Sequence, residues 1–311
     1  MSIAKRELKA NSIEFETSEL TTLTDFMRWG ASRFVEAGLT YGHGLSSPLD
    51  EAVYLVLRTL HLPVDTPNTY WSSVLTKSEK QDVIDVLKRR INEKIPAAYI
   101  IQEGWFAGLQ FYIDERVLVP RSPIVELVEN QFSPWVEADD VETVLDLCTG
   151  SGCIGIACAY AFPYAQVDLS DVSDEALQVA NINIEKHDAT QRVSAIQSDL
   201  FANLEGKKYD LIVSNPPYVD QEDMQALSPE FHHEPELGLS SGNDGLDITK
   251  TILQEAAAHL TENGVLVVEV GNSQYALTEL YPDFPFQWVE FERGGDGVFI
   301  TNKQDLGVFF L

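Results

Sequence analysis

Basic residues are scarce in this sequence. Its 311 residues include 21 lysines and arginines against 49 aspartates and glutamates, a formal net charge of −28. The imbalance is uneven, because residues 1–100 carry a charge of −1 and residues 101–311 carry −27. Such a field repels a phosphate backbone, so we expect no direct nucleic acid recognition by the larger part, and it suits a basic protein partner. An acidic surface that only maintains solubility is the alternative interpretation.

Cysteines are also few, and long hydrophobic runs are missing. The sequence has three cysteines, Cys148, Cys153 and Cys158. Their odd number argues against a disulfide framework, and their spacing is not typical of metal ligands, so we expect buried thiols without disulfides. No apolar run approaches the roughly 20 residues that cross a bilayer, and residues 1–14 are too charged for a signal peptide. We therefore expect a cytoplasmic protein that does not contact a membrane.

Apolar residues make up 44% of the sequence, which is enough to form a buried core. The length of 311 residues is about twice that of an ordinary domain, so we expect two domains. Residues 1–96 predict three helices, over Glu19–Gly38, from Pro48 onward, and from a capping box between Ser78 and Gln81. Their apolar positions recur at helical spacing. We predict that this part is an N-terminal helical substrate-recognition domain.

Residues 97–123 predict a β-hairpin joint. Leu109–Ile113 and Arg116–Val119 alternate apolar and polar residues as strands do, and Asp114–Glu115 between them fits a turn. The stiff segment Pro120–Pro123 ends the joint.

Residues 124–311 alternate strands with helices. The runs of strand length are Val144–Leu147, Ala165–Leu169, Val193–Gln197, Tyr209–Ser214 and Val265–Val270. Helical patterns separate most of them, which predicts an α/β fold with a mostly parallel sheet and helices on both faces. Phe286–Phe291 and Gly297–Thr301 predict an antiparallel hairpin that closes the sheet.

A glycine-rich loop follows the first of these strands. Gly150, Gly152 and Gly155 satisfy G-x-G-x-x-G between a strand and a helix, where backbone N–H groups can approach a ligand. Asp171 follows the second strand, where a carboxylate can accept hydrogen bonds from two ribose hydroxyls. These features alone are equally typical of an NAD-binding oxidoreductase.

Two further carboxylates favour a different cofactor. Asp146 precedes the loop, where it would oppose a pyrophosphate but suits an ammonium group. Asp199 follows the third strand, where an adenine amino group can donate to it. An ammonium, a ribose and an adenine without phosphate describe S-adenosyl-L-methionine. The predicted cofactor-binding residues are Asp146, Cys148, Thr149, Gly150, Ser151, Gly152, Asp171, Asp199, Leu200 and Asn215, with Asp168 as the alternative ribose ligand.

The fourth strand ends in Asn215-Pro216-Pro217-Tyr218. Successive prolines remove two backbone donors, so the loop presents carbonyl oxygens. The Asn215 side chain and a proline carbonyl can accept both hydrogens of a planar –NH₂ group and orient its nitrogen for in-line attack on a methyl sulfonium. Tyr218 can lie flat against a substrate amide. We predict that these four residues are catalytic and that no strong general base is needed.

The catalytic tetrapeptide resembles the signature of methyltransferases that act on planar nitrogens, and the wider chain resembles the protein N5-glutamine methyltransferases. The segments that carry the wider resemblance are Arg28–Trp29, Tyr41–Gly44, Asp50–Val53, Phe111–Pro123, Asp146–Ile156, Ser214–Met224 and Glu290–Phe299. Pro-Arg-Ser-Pro at Pro120–Pro123 is similar to the branch that modifies ribosomal protein L-three. The release-factor branch typically has Pro-Arg-Pro and an acidic residue there.

The resemblance implies a class I S-adenosylmethionine-dependent methyltransferase domain over 124–311, Rossmann-like, with seven strands. It implies methyl transfer to the side-chain nitrogen of a glutamine in the basic ribosomal protein L-three. The implied substrate-binding residues are Arg121, Asn215, Pro216, Tyr218 and Glu234; for Arg121 a simple ion pair with a carboxylate is an equal alternative.

Other functions stay open from the sequence. The release-factor glutamine methyltransferase is the nearest alternative, and an NAD-binding oxidoreductase and a non-catalytic ribosome-assembly factor are more remote. A DNA adenine methyltransferase is disfavoured because it needs a basic cleft. His232 and His233 are adjacent and have no evident third ligand, so we predict no metal site.

Overall fold

The computed structural model of the chain describes residues 17–42 and 44–310. Its contacts divide the chain into two units, Met1–Ile101 and Gln102–Leu311. No helix within the described residues is long and apolar enough to cross a membrane. Residues 1–14, for which we expect no signal peptide, lie outside the described residues. His43, within the segment Tyr41–Gly44 that carries part of the family resemblance, also lies outside them.

The first unit contains the three predicted helices and a fourth, short helix at the start of the segment predicted as the joint. Its helices are α1 (Leu23–Glu36), α2 (Pro48–Thr59), α3 (Lys77–Glu93) and α4 (Ala97–Ile101). The capping box predicted between Ser78 and Gln81 is wrong. Thr76 caps α3 instead: its side chain accepts from the Glu79 backbone N–H, and the Glu79 carboxylate accepts from the Thr76 N–H at 2.7 Å. The box lies two residues earlier because Thr76, not Ser78, is the last residue with extended backbone.

A buried ion pair lies inside this helical unit. Arg90 of α3 donates to the carboxylate of Glu51 in α2, and both side chains are almost fully buried. Arg90 also donates to the Thr40 carbonyl at 3.0 Å. The remaining interior is apolar, with Phe26, Phe34 and Leu87 completely buried, so the packing of amphipathic faces supplies most of its stability.

The predicted hairpin exists, but the predicted positions of its turn and second strand are wrong. Strands β1 (Glu103–Phe106) and β2 (Leu109–Tyr112) pair antiparallel, and Ala107 and Gly108 between them both have positive φ, as a two-residue hairpin turn requires. Asp114 does not form the hairpin turn. Its carboxylate accepts from the Tyr112 hydroxyl and the Arg116 backbone N–H, which bends the chain away from a strand.

The second unit contains a seven-stranded sheet, which confirms the predicted α/β fold. Its strands are β3 (Thr143–Leu147), β4 (Gln166–Asp171), β5 (Val193–Gln197), β6 (Tyr209–Ser214), β7 (Leu260–Glu269), β8 (Gln287–Trp288) and β9 (Val298–Asn302). Their order is β5-β4-β3-β6-β7-β9-β8, with only β9 antiparallel to its neighbours. The predicted closing hairpin is therefore confirmed, although β8 has only two residues.

Helices cover both faces of this sheet. They are α5 (Ile124–Glu129), α6 (Cys153–Ala161), α7 (Asp174–Lys186), α8 (Gln221–Ala226), α9 (Asp247–His259), α10 (Gln274–Leu280) and α11 (Lys303–Phe310). Side chains of one face, including Leu145 and Leu147, join α9 in a large apolar cluster. Gly155 of α6 lies against Asp146 and Leu169 on the other face, so alternate residues of one strand serve two helical layers.

Candidate active site

The carboxyl ends of four neighbouring parallel strands lie in register. Ser170, Leu147, Ser214 and Val268 form one row across β4, β3, β6 and β7. The residues that follow them are Asp171, Cys148, Asn215 and Glu269. The strand order reverses between β3 and β6, and crevices at such points are where open α/β sheets bind ligands. The sheet therefore brings the predicted cofactor loop beside the predicted catalytic loop.

The glycine-rich loop needs its glycines for two different reasons. Gly150 and Gly152 have φ of 56° and 80°, a region that side chains with a Cβ rarely adopt. Gly155 has ordinary backbone angles, but an added Cβ would lie 2.2 Å from Leu169 and 2.8 Å from Asp146. The first two glycines shape the turn, and the third lets α6 pack directly on the sheet.

Asp146 places a buried carboxylate at the base of this loop. Its Oδ2 accepts from the Thr149 hydroxyl at 2.5 Å and from the Gly155 backbone N–H at 2.8 Å. Its Oδ1 is buried and has no hydrogen-bond partner among the described residues. Burial raises the pKa of Asp146 to about 7, although the two hydrogen bonds lower it. An unpaired carboxylate oxygen in this position fits a cationic group and would repel a phosphate.

Asp171, and not Asp168, contacts the glycine-rich loop. The Asp171 carboxylate accepts from the backbone N–H groups of Gly150 and Ser173, both at 2.9 Å, while burial raises its pKa. Asp168 instead accepts from Lys207 at 2.6 Å and from the Tyr209 hydroxyl at 2.7 Å. Because the two positions are three residues apart on a strand, their side chains point to opposite faces.

Asp199 and Leu200 form a turn directly after β5. Leu200 has a φ of 47°, and the Asp199 carbonyl accepts from the Ala202 N–H at 3.0 Å. The neighbouring Ser198 N–H donates to the Asp171 carbonyl at 2.9 Å, so the turn is attached to the end of β4. The Asp199 side chain is exposed, which leaves its carboxylate accessible to a ligand.

The predicted catalytic loop, Asn215–Tyr218, is anchored on both sides of its prolines. The Ser214 hydroxyl donates to the Leu147 carbonyl at 2.7 Å, and the Tyr218 carbonyl accepts from the Ser273 hydroxyl at 3.0 Å. Between these anchors Asn215 is half-buried, and its side chain makes no hydrogen bond within the described part of the chain. Its amide oxygen is therefore available to an incoming donor.

Glu269 is a site residue that the sequence reasoning missed. Its Oε1 accepts from the Tyr218 hydroxyl at 3.0 Å, and its Oε2 accepts from the Ser122 hydroxyl at 2.5 Å. Burial raises its pKa to about 7 against the lowering effect of these two donors and of Arg121. The signal was present as a single acidic residue near the end of the apolar run Val265–Val270.

Arg121 and Glu234 form a bidentate ion pair. The two guanidinium nitrogens donate to the two carboxylate oxygens at 2.5 and 2.7 Å, and the Val119 N–H also donates to Glu234 at 3.1 Å. The guanidinium carbon lies 5.3 Å from the centre of the Phe231 ring. This is the simple pairing expected as an alternative for Arg121, and contact of either residue with substrate stays a prediction.

The cysteines and the adjacent histidines are residue types that can form disulfides or bind a metal. All three cysteines are free; Cys153 and Cys158 are buried as expected, whereas Cys148 is only half-buried. Burial raises the pKa of each thiol, so none is ionised at neutral pH. No cluster of three metal-ligating side chains occurs in residues 17–42 and 44–310.

The sheet order, the glycine-rich loop and the three carboxylates at the carboxyl ends of β3, β4 and β5 define an S-adenosylmethionine-dependent class I methyltransferase. Residues 132–284 match the family model described as the methyltransferase small domain. A methyltransferase structure from Pyrococcus furiosus has a TM-score of 0.46 and 18% identity, and the match covers 63% of this chain and 89% of that chain.

Two relatives match along nearly the whole length. The chain is 52% identical over 290 residues to the ribosomal protein uL3 glutamine methyltransferase of Francisella tularensis subsp. tularensis (strain SCHU S4 / Schu 4), covering 93% of this chain and 92% of that protein. It is 51% identical to the protein of the same description from Neisseria gonorrhoeae (strain ATCC 700825 / FA 1090), covering 93% and 96%. The chain belongs to the ribosomal protein uL3 glutamine methyltransferase family, and its methyl donor is S-adenosylmethionine. The oxidoreductase and release-factor alternatives are not favoured.

Proposed function

We propose that this chain transfers a methyl group from S-adenosylmethionine to the side-chain amide nitrogen of a glutamine in ribosomal protein uL3. The observation that carries the proposal is the identity of 51–52% to two uL3 glutamine methyltransferases across 93% of the chain. The placement of Asn215 beside the cofactor loop supports the amide chemistry, because register across β3 and β6 brings the two loops together.

The carboxylates at the strand ends hold the cofactor in this proposal. Asp146 directs its unpaired Oδ1 to the ammonium group, Asp171 accepts from the ribose hydroxyls, and Asp199 with Leu200 borders the adenine. The remaining contacts come from the loop itself, at Cys148, Thr149, Gly150, Ser151 and Gly152, and from Asn215. When bound, the cofactor supplies an electrophilic methyl group on a sulfonium.

The catalytic loop orients the substrate nitrogen. An amide nitrogen is a poor nucleophile because its lone pair is delocalised into the carbonyl. The side-chain oxygen of Asn215 and the carbonyl oxygen of Pro216 accept hydrogen bonds from the two N–H groups of the substrate amide. These bonds orient the nitrogen lone pair toward the methyl carbon and stabilise the positive charge that develops as the nitrogen becomes pyramidal. Pro217 stiffens the loop, and the Tyr218 ring lies against the amide plane. The nitrogen then releases one proton to water.

Substrate recognition involves two other parts of the chain. Arg121 and Glu234 are paired with each other and form a wall beside the catalytic loop, since both act electrostatically on Tyr218. The charge of −27 over residues 101–311 attracts a basic protein. We assign residues 1–96 to substrate recognition, residues 97–123 to the joint and residues 124–311 to methyl transfer in the cytoplasm.

Methyl transfer to purified uL3 tests the function. The enzyme is incubated with isotope-labelled S-adenosylmethionine and either uL3 or a peptide-chain release factor, and tryptic peptides are sequenced by mass spectrometry. We expect one labelled glutamine in uL3, none in the release factor, and labelling slowed at least about a hundredfold with Asn215→Ala. A second uL3 preparation, with the labelled glutamine changed to asparagine, should take up no label. Labelling of the release factor alone would contradict the proposal.

A further inference from the structure

Glu269 stands in the row of strand-end residues that forms the site, yet the proposed reaction gives it no part. It follows Val268 of β7, which pairs with Ser214 just before the catalytic loop. Its side chain is only 4% exposed, so it cannot serve as a solvated surface charge. A buried carboxylate needs hydrogen-bond donors, and the structure shows which groups provide them.

Both oxygens of Glu269 accept from hydroxyl groups on separate segments. Ser122 belongs to the Pro120–Pro123 joint, and Tyr218 is the last residue of the catalytic tetrapeptide. An ionised carboxylate accepts both bonds, whereas a protonated one must use its own hydrogen as a donor. Protonation therefore breaks or reverses one of the two bonds.

The ring of Tyr218 has little freedom as long as this bond holds. A Cβ at Gly271 would lie 2.6 Å from the ring, so the ring packs closely against a glycine that leaves room for it. Its backbone carbonyl is held by Ser273 at 3.0 Å. The hydroxyl bond to Glu269 is the third attachment, and it sets the rotation of the ring about its side-chain torsions.

We propose that Glu269 is a positioning residue for methyl transfer, whose ionised carboxylate fixes the Tyr218 ring against the substrate amide. The inference rests on the proposed function, since it assumes that Tyr218 borders the amide. The charged groups around the pair are Arg121, which favours the ionised form of Glu269, and Glu234, which acts on Tyr218. Burial and Glu269 raise the pKa of Tyr218, so its hydroxyl remains a donor at neutral pH.

Glu269→Gln keeps the shape of the side chain and removes its ionisation. We expect kcat for uL3 methylation to fall about tenfold while KM and cofactor affinity change less than about twofold. The reason is that the variant affects the orientation of the Tyr218 ring and not the binding of substrate or cofactor. Wild-type kcat should rise with pH around the Glu269 pKa of about 7, and kcat of Glu269→Gln should stay flat. The double variant Tyr218→Phe, Glu269→Gln should lose no more than the worse single variant.

Tyr209 provides a matched control. Its hydroxyl also donates to a carboxylate of the sheet, the half-buried Asp168, at 2.7 Å, but at the opposite end of β6. Tyr209→Phe should reduce stability and leave the pH profile of kcat unchanged. Ser122→Ala should move the profile to higher pH, since the Ser122 hydroxyl lowers the pKa of Glu269.

A readout without substrate separates this inference from the proposed function. The readout is the NMR signal of Tyr218 in protein labelled with ¹³Cζ-tyrosine, which is assigned by its loss in Tyr218→Phe. Its chemical shift should titrate with a midpoint near pH 7 in the wild type and should not titrate in Glu269→Gln. If wild type fails to methylate uL3, the proposed function is wrong while this titration still tests the coupling. A Tyr218 signal that ignores Glu269, or single-variant losses in kcat that multiply in the double variant, would overturn the inference.

Discussion

The buried side chain of Asn183 donates a hydrogen bond to the Ser151 carbonyl at 2.9 Å. The same amide donates to the Tyr112 carbonyl at 2.9 Å and accepts from the Tyr112 N–H at 2.7 Å. One helical side chain of α7 thus joins the glycine-rich loop to the edge of the β1–β2 hairpin. The loop is held in shape from outside as well as by its own glycines, which reduces the ordering cost of binding a ligand.

We predict that Asn183→Ala weakens both stability and cofactor binding. Three backbone groups lose their partner, the buried Ser151 carbonyl and the part-buried N–H and carbonyl of Tyr112, so unfolding free energy should fall by about 3 kcal/mol. Affinity for S-adenosylmethionine should fall several-fold because the loop is less ordered. Urea denaturation and calorimetric titration measure the two effects. Asn181→Ala on the same helix, which removes one bond to Leu177, is the control and should leave affinity unchanged. Unchanged affinity in a folded Asn183→Ala variant would show that the link has no role in binding.

We predict that Asp171→Ala removes most cofactor binding and Asp168→Ala does not. Loss of the ribose acceptor should cost roughly 2–4 kcal/mol of binding free energy. Asp168→Ala should instead reduce stability, because Lys207 and Tyr209 lose their acceptor. Calorimetric titration of both variants with S-adenosylmethionine distinguishes the two carboxylates. The assignment to Asp171 would be reversed if only Asp168→Ala lost affinity.

Cofactor affinity should depend on pH through Asp146. Burial holds its pKa at about 7 in the protein without ligand, so the carboxyl is largely protonated at pH 6 and largely ionised at pH 8. A cationic ammonium binds the ionised form, and the dissociation constant should therefore decrease from pH 6 to pH 8 with release of a proton. Calorimetry in buffers of different ionisation enthalpy measures that proton. Asp146→Asn should bind more weakly at every pH and show no such release, whereas proton release that persists in Asp146→Asn would assign it to another group.

Asn215→Ala should separate cofactor binding from chemistry. The cofactor retains its contacts with the glycine-rich loop, Asp171 and Asp199, so affinity should change little. Methyl transfer in a single turnover should fall at least about a hundredfold, as expected for loss of one preorganised hydrogen-bond acceptor. Asn215→Asp keeps an oxygen in place and should retain more activity than alanine. Transfer at the wild-type rate by Asn215→Ala would show that the amide is held elsewhere.

Salt should slow encounter with the substrate protein. If the charge of −27 over residues 101–311 steers a basic partner, kcat/KM for uL3 should decrease as ionic strength rises from low to physiological values. Affinity for the cofactor should change much less, because its charges are bound in a partly buried site. A constant kcat/KM over that range would assign the acidic surface to solubility alone.

Local sequence patterns determined much of this architecture. The bounds of β5 and β6 follow from apolar runs flanked by polar residues, and both agree with the structure at each end. The glycine motif between β3 and α6 was equally clear, because its backbone requirements are local. Predictions failed where several nearby residues competed for one role. Thr76 and Ser78 both suit a cap, and the Ala107–Gly108 turn carries a weaker signal than Asp114–Glu115.

Contacts between segments that are far apart in the chain determine which side chains of the site meet. Glu269 lies 51 residues beyond Tyr218, and Glu234 lies 113 beyond Arg121, so no periodicity links them. Their contacts depend on strand order and register, which place β7 beside β6 and the joint against the loop that follows β6. The residue types at each strand end, which can be read directly from the sequence, determine the chemistry available there. The hydrogen-bond partners of each group depend on tertiary packing, because residues that are far apart in the sequence come within bonding distance only in the folded sheet.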